Sequence, residues 1–172
     1  MLRDNCIVRK RTNATNCDND YYFQCLSEVY MNVFNNVVSI DVSSQEQDKF
    51  SKIEQYHRDA IIDSEQKLSR DPKCIGTLCD WIASYHELAL VYKQKGATQM
   101  VQKCLLIPHQ SMLHMAKNNH GDQQREEIAT RAIGITLPPL MAFAQEYPPC
   151  DKCMKELKSQ LAMIQMYKKT DH

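Results

Sequence analysis

The chain has 172 residues, and 21 Lys plus Arg stand against 21 Asp plus Glu, leaving a formal net charge of zero. That length fits one domain, and the neutral balance argues against a nucleic-acid-binding protein, because binding by counterion release needs a cationic excess. Four Gly and six Pro are about half of ordinary usage, too few turn formers for a β-sandwich, so the composition points to helices.

Residues 1–17 mix Arg, Asn, Thr and Asp without periodicity and read as an irregular N-terminal arm, with 18–172 as a single all-helical domain. A first helix, capped by Asp18 or Asp20, sets Tyr22, Leu26, Val29, Tyr30, Val33, Phe34, Val37 and Val38 along one face and runs to about Ile40. A second begins at Ser44, where Gln47 completes a capping-box pattern. It carries Phe50, Ile53, Tyr56, Ala60, Ile61 and Leu68 at helical spacing until Asp71-Pro72 ends it. A third, from about Ile75 to Lys95, is apolar around most of its circumference, as a central helix is, and Gly96 follows as a left-handed cap.

A fourth helix starts near Thr98, with Met100, Val101, Cys104, Leu105, Met112, Met115 and Ala116 inward. Pro108 has no N–H for the carbonyl of Cys104, which predicts a kink or a break. After the turn Asn118-Asn119-His120-Gly121, Asp122, Glu126 and Glu127 sit at the electropositive start of a fifth helix, which Pro138-Pro139 is expected to divide in two. A last helix, from about Cys150 to Lys168, lines up Met154, Leu157, Leu161 and Ile164 as a narrow seam suited to one neighbouring helix or to a second copy of the chain, a homodimer. The expected fold is all-α, about six helices in antiparallel hairpins, two of them kinked at proline.

Within the third and fourth segments, Tyr85, Leu88-Ala89 and Tyr92 keep the spacing of an aromatic, a Leu-Gly pair and a Tyr, and Gly96 stands at the turn. Over residues 82–116 this resembles one tetratricopeptide hairpin. The second helix departs from that pattern, with Val101 and Leu105 in the places of a small and an aromatic residue and Leu113 where a proline is expected. The architecture expected is therefore tetratricopeptide-like or an irregular helical bundle. The resemblance implies a module that binds a peptide or partner protein in a concave groove, with no chemistry of its own. Such a groove is expected between the third and fifth helices, with Tyr85, His86 and Tyr92 near its wall and the adaptable side chains of Met112 and Met115 also offered to a partner.

The charged start, Met1-Leu2-Arg3-Asp4, lacks the apolar stretch of a signal peptide, and the longest mostly apolar run, Leu137 to Ala144, is far short of a membrane span. A cytoplasmic protein with no membrane partner is expected, its eight cysteines mostly thiols. Cys150-Asp151-Lys152-Cys153 is the compact pair with chemical spacing: a dithiol redox pair, half of a zinc site, or two ordinary thiols at a helix start. For zinc, Cys74 and Cys79 are the nearest further pair. His86-Glu87 begins a zinc-protease pattern that Leu90 ends, Glu54-x-x-His57 is one half of a di-iron signature, and Cys104, His109 and His114 step about 140° apart around a helix. No cofactor is expected beyond that zinc. The function expected is a non-catalytic protein-binding module, an adaptor, chaperone or regulator; the alternative is a thiol-based redox sensor or zinc protein working through Cys150 and Cys153.

Overall fold

A computed structural model describes residues 44–118 and 120–170. The N-terminal arm and the helix expected over residues 18–40 lie outside the described residues. Among the described residues the chain is all-helical: α1 (Ser44–Arg70), α2 (Ile75–Gln94), α3 (Thr98–Lys117), α4 (Gln123–Glu146) and α5 (Asp151–Thr170).

Local chemistry sets most boundaries. At Asp71-Pro72 the turn closes through the Asp71 side chain, which accepts from the N–H of Lys73 at 3.2 Å, while its carbonyl accepts from Cys74 at 3.3 Å. α2 ends in a Schellman motif: the N–H of Ala97 reaches the carbonyl of Tyr92 at 2.9 Å and that of Gly96 reaches Lys93 at 3.0 Å, with Gly96 at φ +67°. Asp122 caps α4 by accepting from the N–H of Arg125 at 3.1 Å. Its other oxygen pairs with Lys73, and these two interactions, Lys73 first, hold its carboxyl below the usual range.

The prolines do not break their helices. α3 runs unbroken through Pro108, and α4 is one helix through Pro138 and Pro139 rather than two pieces. Each proline removes a backbone bond and strains one turn, at about 3 kcal/mol. The turns around them are buried: Cys104, Leu105, Pro108, His109 and Met112 on α3, and Leu137, Pro139, Leu140 and Phe143 on α4. Several such side chains, at about 1.5–3 kcal/mol each, outweigh the loss and hold one helical path.

Packing follows chain order. α1 lies on α2, α2 on α3, α3 on α4 and α4 on α5, and α2 also touches α4 over a short stretch. Among the described helices the backbone of α1 comes close to that of α2 alone, and the backbone of α5 to that of α4 alone. Among the described helices the result is a row in chain order, with α1 and α5 at its ends. The core is centred on Ile82, Leu105 and Ala129, with Leu78, Trp81, Val101, Ile128, Ile133 and Leu140 around them. The predicted seam of α5 faces inward, with Ile164 buried against α4 and Met154, Leu157 and Leu161 half-buried. No described helix is long and apolar enough to cross a membrane.

Candidate functional site

The residues expected to meet a partner divide by helix. On α2, Tyr85 and Tyr92 face α1. The Tyr92 hydroxyl donates to Glu54 Oε1 at 2.8 Å, and the same carboxylate accepts from Lys95 Nζ at 2.6 Å and from Arg58 Nε at 3.0 Å. Lys95 leads in drawing the Glu54 carboxyl down to about 2, against a smaller effect of burial. About three turns along α1, Glu65 accepts from Trp81 Nε1 at 3.2 Å and from the Tyr85 hydroxyl at 3.5 Å, and the Trp81 and Tyr85 rings meet edge to face at 5.1 Å. Burial leads in pushing both tyrosine hydroxyls up to about 12, so they serve as neutral donors. The aromatic face read as a partner surface thus holds the chain's own α1, not a groove between α2 and α4.

His86, Met112 and Met115 lie inside the row, at 2%, 4% and 7% exposure. Burial draws the His86 imidazole down to about 4. They have no surface to offer while the helices stay packed.

Cys150 and Cys153 have the opposite character. Pro148-Pro149 lead the chain to the start of α5, and both thiols are exposed, with sulfurs 3.2 Å apart. The backbone N–H of Cys153 leads in lowering the Cys150 thiol, followed by the Cys153 thiol; the N–H of Lys152 adds to them. The neighbouring Cys150 sulfur pushes Cys153 up. Cys150 is therefore the more readily ionised thiol of the two. The other described cysteines are unlike this pair. Cys79 and Cys104 are buried, burial pushes Cys104 up to about 12, and Cys74 contacts the Thr77 hydroxyl at 3.1 Å. Two thiolates would be half of a tetrahedral zinc site, and among the described residues no three His, Cys, Asp or Glu side chains converge to complete one.

One arrangement escaped the sequence reading. His109, on α3, places Nδ1 3.0 Å from Thr136 Oγ1 of α4 and Nε2 2.9 Å from Gln160 Oε1 of α5. Gln160 donates its amide to Glu156 at 3.2 Å, so its oxygen accepts the Nε2–H of His109, and Nδ1 receives the Thr136 hydroxyl. All three side chains are buried. The available signal was Gln160 within the inward face of the last helix, a polar residue at a position that spacing marks as core.

A family model matches residues 41–171, which span all five described helices. The chain belongs to the family described as Protein of unknown function (DUF2753). Comparison of this DUF2753 chain with curated proteins and with solved structures found no match in either.

Proposed function

We propose that this DUF2753 protein works by binding another protein, as an adaptor, chaperone or regulator, with the outer face of α5 as its contact surface. The observation that carries this is the face α5 turns away from α4. Met163, Met166 and Tyr167 are 59%, 70% and 39% exposed there, neighbours at steps of three and four on the helix that ends the row. Lys152 and Lys155 continue the same side toward the N-terminus; of the carboxylates beside them, Asp151 opens the helix and Glu156 is tied to Gln160. An apolar stripe with a cationic end fits an amphipathic helix whose flank is acidic. Methionine suits such a face, because its flexible side chain adapts to the shape of a partner.

A tetratricopeptide-like arrangement is part of this reading. It is supported by the succession of α2–α3 and α4–α5 as hairpins and by the contact of α2 with α4, since helical-hairpin arrays bind through surfaces left open at their faces and ends. The role is non-catalytic at this surface and suits a cytoplasmic setting.

The test is the full chain titrated with a labelled synthetic amphipathic helix, Leu on one face and Glu on the other. Micromolar binding that weakens with salt and is lost in a Met163→Glu/Met166→Glu variant of unchanged circular dichroism supports the proposal. No binding, or binding that the double change leaves intact, overturns it. A dimer in sedimentation that the double change dissolves assigns the face to a second copy and overturns it equally.

A further inference from the structure

We infer that Cys150 and Cys153 are a thiol–disulfide exchange site, with Cys150 the attacking sulfur, Cys153 the resolving one, and a small or protein disulfide as the oxidising substrate. The inference is independent of the partner surface on α5 and stands on geometry. The two sulfurs lie 3.2 Å apart, and a disulfide needs about 2.05 Å, so closing the bond takes roughly 1 Å of movement. Both side chains are open to solvent, so an incoming disulfide reaches either without unfolding. Their order along the chain distinguishes them. Cys150 sits immediately before the first residue of α5, where the N–H groups of Lys152 and Cys153 turn toward its sulfur, while Cys153 is one turn into the helix. The lowered Cys150 thiol and the raised Cys153 thiol agree with that division of labour.

The exchange balances in two steps. The Cys150 thiolate attacks one sulfur of a disulfide RS–SR′; the Cys150–SR bond forms, the S–S bond of the substrate breaks, and R′S⁻ leaves. Cys153 then gives its proton to the departing thiolate or to solvent and attacks the Cys150 sulfur; the Cys150–Cys153 bond forms and RS⁻ leaves to be protonated. Two protein thiols lose two electrons in total, and the substrate disulfide becomes two thiols.

Oxidised glutathione on the reduced, full-length protein is the probe, read by peptide mapping after alkylation. The expected result is a disulfide linking residues 150 and 153, reversed by dithiothreitol, with Cys74, Cys79 and Cys104 alkylated as before. In Cys153→Ser the intermediate is trapped as a single glutathione adduct on Cys150. In Cys150→Ser the adduct on Cys153 forms several-fold more slowly, because its thiolate lacks the backbone donors. Equal adduct rates in the two variants would reverse or remove the assignment of roles. Failure of the 150–153 bond to form at any glutathione ratio overturns the site.

Discussion

His109 and Gln160, 51 positions apart, are joined by a 2.9 Å hydrogen bond that ties α3 to α5 through the interior. α5 otherwise rests on α4 alone, so this bond extends its anchorage one helix deeper into the row. Replacing Gln160 by Leu leaves the buried Nε2–H of His109 without its acceptor, at about 1–3 kcal/mol. Urea unfolding is expected to show that loss. The His109→Leu/Gln160→Leu pair should be less destabilised than the two single changes summed, since no polar atom is then left stranded.

Acid should destabilise the fold through its buried imidazoles. Burial leads in lowering His57, His86 and His109; for His109 the bond to Gln160 works against it, and His86 falls to about 4. A histidine with a depressed folded pKa binds its proton more readily unfolded. Its stabilising contribution is present above the unfolded value of about 6.5 and is lost as the pH falls below it. His86 alone accounts for about 2 kcal/mol between pH 7.5 and pH 5. Urea midpoints at those two pH values should differ in that direction, and a His86→Leu variant should flatten the slope. Glu54 acts in another window, because its contribution is kept above about 4.5 and lost only as the pH falls toward 2.

The same substitution at two glycines should have opposite signs. Gly96 is at φ +67° in open space, so Gly96→Ala meets no atom but strains the backbone, costing about 1 kcal/mol. Gly134 is inside α4, and a Cβ there would lie 3.7 Å from Ile164 Cγ2, an ordinary contact. Gly134→Ala should stabilise by about 0.5–1 kcal/mol through helix propensity. Thermal melts of the two variants on either side of the parent check both.

Loss of the Glu54 carboxylate should loosen one helix rather than the protein. α1 packs only on α2 among the described helices, and Glu54 gathers Lys95, Tyr92 and Arg58 at that contact. The ionic groups are partly exposed, so Glu54→Ala is expected to cost only about 1 kcal/mol. Hydrogen exchange should rise along α1 and stay unchanged in α3 and α4.

Sequence alone determined what depends on neighbours within a turn or two. The boundary at Asp71-Pro72, the Gly96 cap, the Asp122 start and the inward seam of Met154, Leu157, Leu161 and Ile164 all rest on backbone bonding and on the 3.6-residue period. The Cys150-x-x-Cys153 spacing was legible for the same reason, since one helical turn brings the two sulfurs together. Tertiary structure decided which surface covers each stripe. Periodicity marks Tyr85 and Tyr92 as a face that wants a partner, but only the fold puts Glu54, Arg58 and Glu65 of α1 opposite them. Proline strain at 108, 138 and 139 is local, whereas the packing that keeps both helices whole comes from elements far along the chain. The same holds for His109: its partners stand 27 and 51 residues away, and their hydrogen bonds exist only once α3, α4 and α5 lie side by side.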